Sequence, residues 1–174
     1  VLATAGSAAK CAAVLGLGAE AAINHRSQDF VAETLRLTGG HGADVIVDLI
    51  AGDYVARNYA AAAVDGRIVQ IGILHGPARE VDFMPLLVKR LTHTGSTLRA
   101  RSKADKAAIA QALEEKVWPL LASGQIRVPI WRHFDLADAA AAHAEMEAGE
   151  HVGKLVLVSS WQPDRHPPAG FSEP

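Results

Sequence analysis

Short β-branched runs alternating with helical stretches place this chain in the α/β class, as a doubly wound parallel sheet with helices on both faces. Three observations carry that expectation. Apolar runs of strand length recur through most of the sequence, each followed by a stretch of helical spacing. One of them, Asp44–Ile50, is almost continuously apolar, as expected of a parallel strand buried on both faces. The composition is 49% hydrophobic but only 5% aromatic, a mix rich in Ala, Leu, Val and Gly that suits helices packed close on a sheet. A chain of 174 residues is ample for one packed domain, because that length buries roughly 70% of its unfolded surface.

In chain order, Val1–Ala5 reads as a strand and Ala8–Leu15 as a helix. Ala22–Asn24 is a short strand, and Gln28–Leu37 a helix with Phe30, Thr34 and Leu37 on one face. The strand Asp44–Ile50 leads to a helix Tyr54–Ala63, which the Asp65-Gly66 turn ends, and then to a strand Arg67–Leu74. A short helix near Pro85–Arg90 precedes the strand Leu91–Leu98. A long helix Ala104–Leu121 carries Ile109, Leu113, Val117 and Leu121 at four-residue spacing. After Gly124 come a strand interrupted by Pro129, a helix Leu136–Ala148 and a last strand Lys154–Val158. The stretch from residue 160 to 174, with four prolines and little apolar content, reads as a disordered tail.

Charge and cysteine usage narrow the function classes. A net charge of −2 with no basic stripe argues against nucleic acid or an anionic membrane as the main partner. No apolar run approaches the roughly 18 residues a membrane span needs. Cys11 is the only cysteine, so no internal disulfide can form, and a reducing, cytoplasmic setting is expected. Cys11 itself reads as a small core residue rather than a nucleophile. The opening lacks both an initiator Met and a basic n-region, and a chain that starts on a buried-type strand is expected to have lost something upstream.

A dinucleotide-binding fold places a Gly-rich turn between a strand and a helix, so that backbone N–H groups meet the pyrophosphate. The near match Gly16-Leu-Gly18-Ala-Glu-Ala21 follows a helix and precedes a strand, the wrong order. One of its glycines more simply supplies the left-handed C-cap of the first helix. In such folds an acidic residue at the end of the second strand binds the adenosine ribose hydroxyls. Here the first acidic residue is Glu20, and the strand end carries Gly6, Ser7 and Lys10 instead. Ser7 as N-cap puts Lys10 in the first helical turn, where the macrodipole disfavours a cation by roughly 0.3–1 kcal/mol. A bound phosphate reverses that sign. These residues read either as a 2′-phosphate site for NADP or as an ordinary capped helix with a solvated lysine.

Several segments in order, Thr4-Ala-Gly-Ser7 with Lys10, Gly18-Ala19 with Ala22-Ile-Asn24, Gly39-Gly40 through Asp48, and Asp65-Gly66-Arg67 with Gly72, resemble one family. Gly95–Arg99, Trp118-Pro119-Leu120 and His143, Met146-Glu147, His151, Gly153-Lys154 fit it too. The chain resembles, from Val1 to about Val158, the zinc-free, zeta-crystallin-like quinone oxidoreductases of the medium-chain dehydrogenase/reductase superfamily. The resemblance implies that residues 1–125 are a partial, Rossmann-like NADP-binding domain lacking its first strand and Gly-rich turn. Residues 126–159 would be the segment that returns to a GroES-like catalytic domain. It further implies hydride transfer from NADPH to a quinone-like small molecule, or to another activated alkene or carbonyl, without metal.

Carried over by position, Gly6, Ser7 and Lys10 match the family's 2′-phosphate contacts. His25 stands where the family commonly has Tyr. Gly72 and Ile73 would lie by the nicotinamide, Thr97, Leu98 and Arg99 near the cofactor, and Lys154 would be a phosphate contact from the returning segment. Plainer alternatives stand beside these: Gly72 serving only a turn, Arg99 as a solvated charge, and Lys154 as a lysine that blunts an edge strand. The strand Leu91–Leu98 corresponds to one that pairs across a two-fold axis, so a homodimer is expected. Two further readings remain open, a zinc-free enoyl-thioester reductase and a non-catalytic nucleotide-binding remnant that needs a complementary chain.

The eight histidines form no H-x-x-x-H or Cys/His cluster of the kind zinc requires, so no metal site is expected. No G-x-S-x-G elbow or P-loop occurs. Asp48 closes a strand, where it can orient the cofactor side of a cleft or simply be a solvated strand end. No general acid or base stands out, and none is assigned.

Overall fold

A computed structural model of the chain describes residues 1–159, so the expected disordered tail from residue 160 lies outside the described residues. The chain divides into two compact units, the first covering Val1–Ala110 and the second beginning at Gln111. All the strand pairings among the described residues are parallel.

In the first unit, β1 (Leu2–Ala5) pairs with β2 (Ala21–Asn24), and α1 (Ala8–Gly16) connects them. Helix α1 ends because Gly18 turns to a φ of 101°, which lets the N–H of Ala19 reach the carbonyl of Val14. That is the C-terminal role expected of the glycine pair. Helix α2 (Phe30–Leu37) is capped by Asp29, whose carboxylate accepts from the Val31 N–H at 3.0 Å. A three-stranded sheet follows in the order β3 (Ala43–Asp48), β4 (Ala62–Gln70) and β5 (Thr92–Gly95). Helix α3 (Tyr54–Ala61) joins β3 to β4, and α4 (Met84–Val88) precedes β5.

Two apolar clusters meet at α3. One contains Val55, Tyr59, Ala62, Ile68 and Leu91, and the other Ile23, Phe30 and Ala61. Ile46 of β3 packs against both, so a single strand residue ties the two sheets to one helix. Tyr59 is 2% exposed, and its hydroxyl lies 2.8 Å from Nδ1 of His93 on β5. A buried phenol needs such a partner, because an unpaired hydroxyl in the core costs about 1–3 kcal/mol. At the end of α3, the Lys89 ammonium donates to the carbonyls of Tyr59, Ala60 and Ala62 at 2.8–3.0 Å. A cation at a helix C-terminus satisfies orphan carbonyls and opposes the dipole there.

Five expectations are corrected. Strand β3 is not buried on both faces: Val45, Val47 and Leu49 are exposed at 58%, 60% and 46%. Side chains alternate along a strand, and only the face carrying Ile46 and Asp48 is covered within this unit. Strand β4 starts five residues before the expected Arg67 and ends at Gln70, not Leu74. Ala43 pairs with Ala62 and Val45 with Arg67, so the intervening residues of β4 bulge out. Asp65, at a φ of 61°, lies in that bulge, and the expected Asp65-Gly66 turn therefore falls inside the strand. The expected strand Leu91–Leu98 is only Thr92–Gly95, the length over which β4 offers partners from Arg67 to Gln70. The long helix Ala104–Leu121 is two helices, α5 (Lys103–Lys116) and α6 (Trp118–Ala122). Pro119 sits in the first turn of α6, where its missing N–H is harmless; within a continuous helix it would remove a bond.

In the second unit, β6 (Ile130–Asp135) pairs with β7 (Lys154–Val158), and α7 (Ala139–Ala148) lies between them in sequence. Gly149, at a φ of 67°, ends α7 in the left-handed conformation. Glu145 of α7 holds β6 by accepting from the Trp131 indole at 2.5 Å and the Arg132 guanidinium at 2.8 Å.

Asp48 is buried and accepts from the Ile50 N–H at 2.6 Å, from the Ala51 N–H at 3.2 Å, and from the Asn58 amide at 3.0 Å. Asp48→Ala leaves these donors without an acceptor, and urea unfolding should show a loss of at least about 2 kcal/mol. At the surface, the bidentate Arg90 guanidinium donates to Asp65 at 2.8 and 2.7 Å and holds its carboxyl below the usual range. A carboxyl depressed in the folded state adds stability above its unfolded pKa, and that contribution is lost as pH falls through the folded value. The stability difference between wild type and Asp65→Asn, followed by urea unfolding, should be constant above about pH 5 and vanish well below about pH 4.

Candidate functional site

The parallel register of β1 and β2 aligns Ala5 with Asn24, so both strands end at the same edge. The residues that follow them, Gly6-Ser7 and His25-Arg26, are thereby brought side by side. In doubly wound sheets this carboxyl-end edge is where ligands bind. Ser7 is the N-cap of α1: its Oγ accepts from the Lys10 N–H at 3.2 Å and its carbonyl accepts from the Cys11 N–H at 2.9 Å. The half-buried Lys10 follows in the first turn, and no acidic residue lies in that turn.

Opposite, Asn24 organises a tight loop. Its side chain accepts from the Arg26 N–H at 3.1 Å, and its carbonyl accepts from the Ser27 and Gln28 N–H groups. The Gln28 side chain in turn accepts from the Asn24 N–H at 2.9 Å. This loop turns His25 and Arg26 back over Gly6: a Cβ placed on Gly6 would lie 3.2 Å from His25 Nε2 and 3.4 Å from Arg26 Nε. The other ring nitrogen of His25 lies 3.4 Å from the Tyr54 hydroxyl. Tyr54 stacks on Phe30 with ring centroids 5.3 Å apart, and the Arg57 guanidinium lies 4.3 Å over the Phe30 ring. Arg57 also donates to Asp29, whose carboxyl is held low first by the Val31 N–H and then by Arg57.

Gly6, Ser7 and His25 therefore lie together at one edge of the sheet, with Lys10 in the first turn of the helix that starts there. Arg26 lies with them, and sequence reasoning missed it. The available signal was the strand pairing itself, because residues just past the ends of two adjacent parallel strands must be neighbours.

The remaining expected residues lie elsewhere. Gly72 follows β4 and approaches the end of β3, where a Cβ would lie 2.9 Å from the Leu49 carbonyl. That close approach explains the glycine without any ligand. The Gln70 amide donates to the carbonyls of Asp48 and Gly72, which leaves its buried Oε1 without a partner among the described residues. Ile73 is 64% exposed, as is the adjacent Leu74 at 72%. An open depression of about 540 Å³ beside them is lined by Gly52, Asp53, Leu74, His75, Pro77 and Arg79. Leu98 and Arg99 follow β5 and are exposed, and the Arg99 carbonyl accepts from the Lys106 ammonium at 3.0 Å. Lys154 opens β7 in the second unit, where its N–H donates to the Pro129 carbonyl at 2.9 Å. Asp48 is no solvated strand end but a buried anchor. Cys11 is half-buried. Among the described residues no group of three His, Cys, Asp or Glu side chains comes together as a metal site would require.

A family model described as zinc-binding dehydrogenase matches residues 17–157. The chain is 30% identical over 159 residues to the mycocerosic acid synthase-like polyketide synthase of Mycobacterium tuberculosis, a match covering 90% of this chain and 7% of that protein. It is 32% identical over 142 residues to the quinone oxidoreductase of Pseudomonas aeruginosa, covering 81% of this chain and 43% of that protein. Among solved structures, the Escherichia coli quinone oxidoreductase complexed with NADPH superposes with a TM-score of 0.79 at 27% identity, covering 90% of this chain and 48% of that one. The chain thus spans less than half the length of these relatives. On the extent of the family match and the agreement in fold, it belongs to the zinc-binding dehydrogenase family of the medium-chain dehydrogenase/reductase superfamily.

Proposed function

We propose that this chain is the nucleotide-binding part of an NADPH-dependent oxidoreductase that reduces a quinone, or another activated alkene or carbonyl, without metal. The observation that carries the reading is the grouping of Gly6, Ser7 and the start of α1 with His25 at the shared end of β1 and β2. Gly6 and Ser7 offer backbone N–H groups at a helix N-terminus, Ser7 a hydroxyl, Lys10 an ammonium and His25 an imidazole nitrogen. No carboxylate occupies the position that would bind an unphosphorylated ribose. A phosphorylated adenosine ribose is the ligand that a capped helix start with a neighbouring ammonium and imidazole would recognise.

When bound, NADPH supplies the hydride, and the proton that completes the reduction comes from water or the substrate pocket. The chain's own residues bind and orient. Ser7, Lys10 and His25 hold the adenosine end. Gly72 and Ile73, with Leu98 and Arg99, line the approach to the nicotinamide end. No residue is assigned a proton-transfer step. The free edge of β5 is the surface for a homodimer. The setting is cytoplasmic, without nucleic acid or membrane as partner; among the described residues no helix is long and apolar enough to cross a membrane.

A second reading, a zinc-free enoyl-thioester reductase, is favoured by the likeness to a polyketide synthase over 90% of the chain. A third, a nucleotide-binding remnant that works with a complementary chain, draws on the exposed row Val45, Val47 and Leu49. Initial rates for a para-quinone and for a short enoyl thioester, each with NADPH and with NADH, separate the three on the longest protein that carries this chain. Quinone turnover at least about tenfold faster with NADPH supports the first reading, and preference for the thioester supports the second. Turnover of neither, with NADPH still bound, supports the third.

A further inference from the structure

Gln70 is the last residue of β4, and its side-chain amide reaches forward to the loop that follows. Its Nε2 donates to the Gly72 carbonyl at 2.6 Å and to the Asp48 carbonyl of the neighbouring strand at 3.2 Å. The opposite setting of the amide would bring Oε1 against two carbonyl oxygens, so its partners fix its orientation. That orientation leaves Oε1 buried and without a partner among the described residues. The Asp48 carbonyl is already served by the Ile71 N–H at 2.7 Å, whereas the Gly72 carbonyl has no other donor among the described residues. The bond that only this amide supplies is the one to Gly72.

Gly72 is a glycine because a Cβ there would lie 2.9 Å from the Leu49 carbonyl. The missing side chain also leaves its backbone permissive. Its neighbours Ile71 and Ile73 are 52% and 64% exposed, so an unheld carbonyl between them would be free to turn to water. The chain is anchored just before this point, by the Ile71 N–H on Asp48, and just after it, by the Leu74 N–H on the Leu49 carbonyl at 3.1 Å. Between those anchors Gln70 alone holds the Gly72–Ile73 peptide. That peptide is trans, so a carbonyl turned to Gln70 sends the Ile73 N–H the opposite way. The Ile73 N–H has no acceptor among the described residues.

We infer that Gln70 is a positioning residue: by holding the Gly72 carbonyl it fixes the Gly72–Ile73 peptide against which the nicotinamide end of the cofactor lies. The inference rests on the NADPH reading above and adds a residue to it. Gln70 acts through Gly72 and touches neither cofactor nor substrate. Packing alone does not call for the amide, because an apolar side chain of the same length would fill the space without a buried, unpaired acceptor.

The test is equilibrium binding without substrate, on the longest protein carrying this chain, of NADPH and of adenosine 2′,5′-bisphosphate, which lacks the nicotinamide end. NADPH is followed by its own fluorescence and the bisphosphate by its displacement of NADPH. Wild type is compared with Gln70→Met, which keeps the length and removes the donor, and with Gln70→Glu, which has no donor at pH 8. Both variants should weaken NADPH about fivefold, the range of one lost hydrogen bond, and leave the bisphosphate within about twofold. The emission of bound NADPH should move towards that of the free cofactor. Retained bisphosphate binding also reports that a variant is folded. If the two ligands weaken by the same factor, or neither changes, Gln70 serves the fold alone and the inference falls, while the cofactor reading stands. If wild type binds neither ligand, the cofactor reading itself falls, and this inference with it.

Discussion

The carboxylate of Asp48 sits where a strand, a turn and a helix must be joined inside the first unit. One oxygen pair accepts from the backbone N–H groups of Ile50 and Ala51, and the Asn58 amide on α3 donates to it as well. From the same residue the backbone carbonyl accepts from the Gln70 amide at the end of β4. A buried anion is tolerated only when its lone pairs are filled, and here three donors fill them. The carboxylate thereby ties the end of β3 to the middle of α3, and the carbonyl ties it to β4. The packing of Val55 and Tyr59 beneath, and of Ala61 against Ile23 and Phe30, follows from how α3 is held.

The candidate site depends on a different constraint, the parallel pairing of β1 with β2. Parallel strands end on the same side, so chain segments that leave them must share one edge. There the Ser7 cap and the Asn24-centred loop present the partial positive charge of a helix start together with cationic and neutral donors. The acid that follows in sequence, Asp29, is engaged elsewhere, with the Val31 N–H and Arg57.

Several features were legible in the residues themselves. Ser7 as a cap, Gly18 as a helix stop and the alternation of strands with helices depend on local chemistry within a few residues. The lengths of β4 and β5 were not legible, because a strand extends only as far as its neighbour offers partners, and the bulge at Asp65 is set by the register against β3. Nor was the exposure of Val45 and Val47, since an apolar run records what a residue prefers and not which of its faces has a neighbour. Pro119 did announce a break in the long helix, but a four-residue apolar spacing running across it outweighed that signal.

Sequence alone therefore determined the α/β class, the family resemblance, and the replacement of an acidic strand end by Gly6, Ser7 and Lys10, because each rests on residue type and order. Only the tertiary structure decided that Arg26 belongs with them, that Asp48 is an internal anchor, and that Gly72 answers to the Leu49 backbone. Those facts concern residues well separated along the chain, and only the pairing of strands and the packing of α3 bring such residues within hydrogen-bond reach.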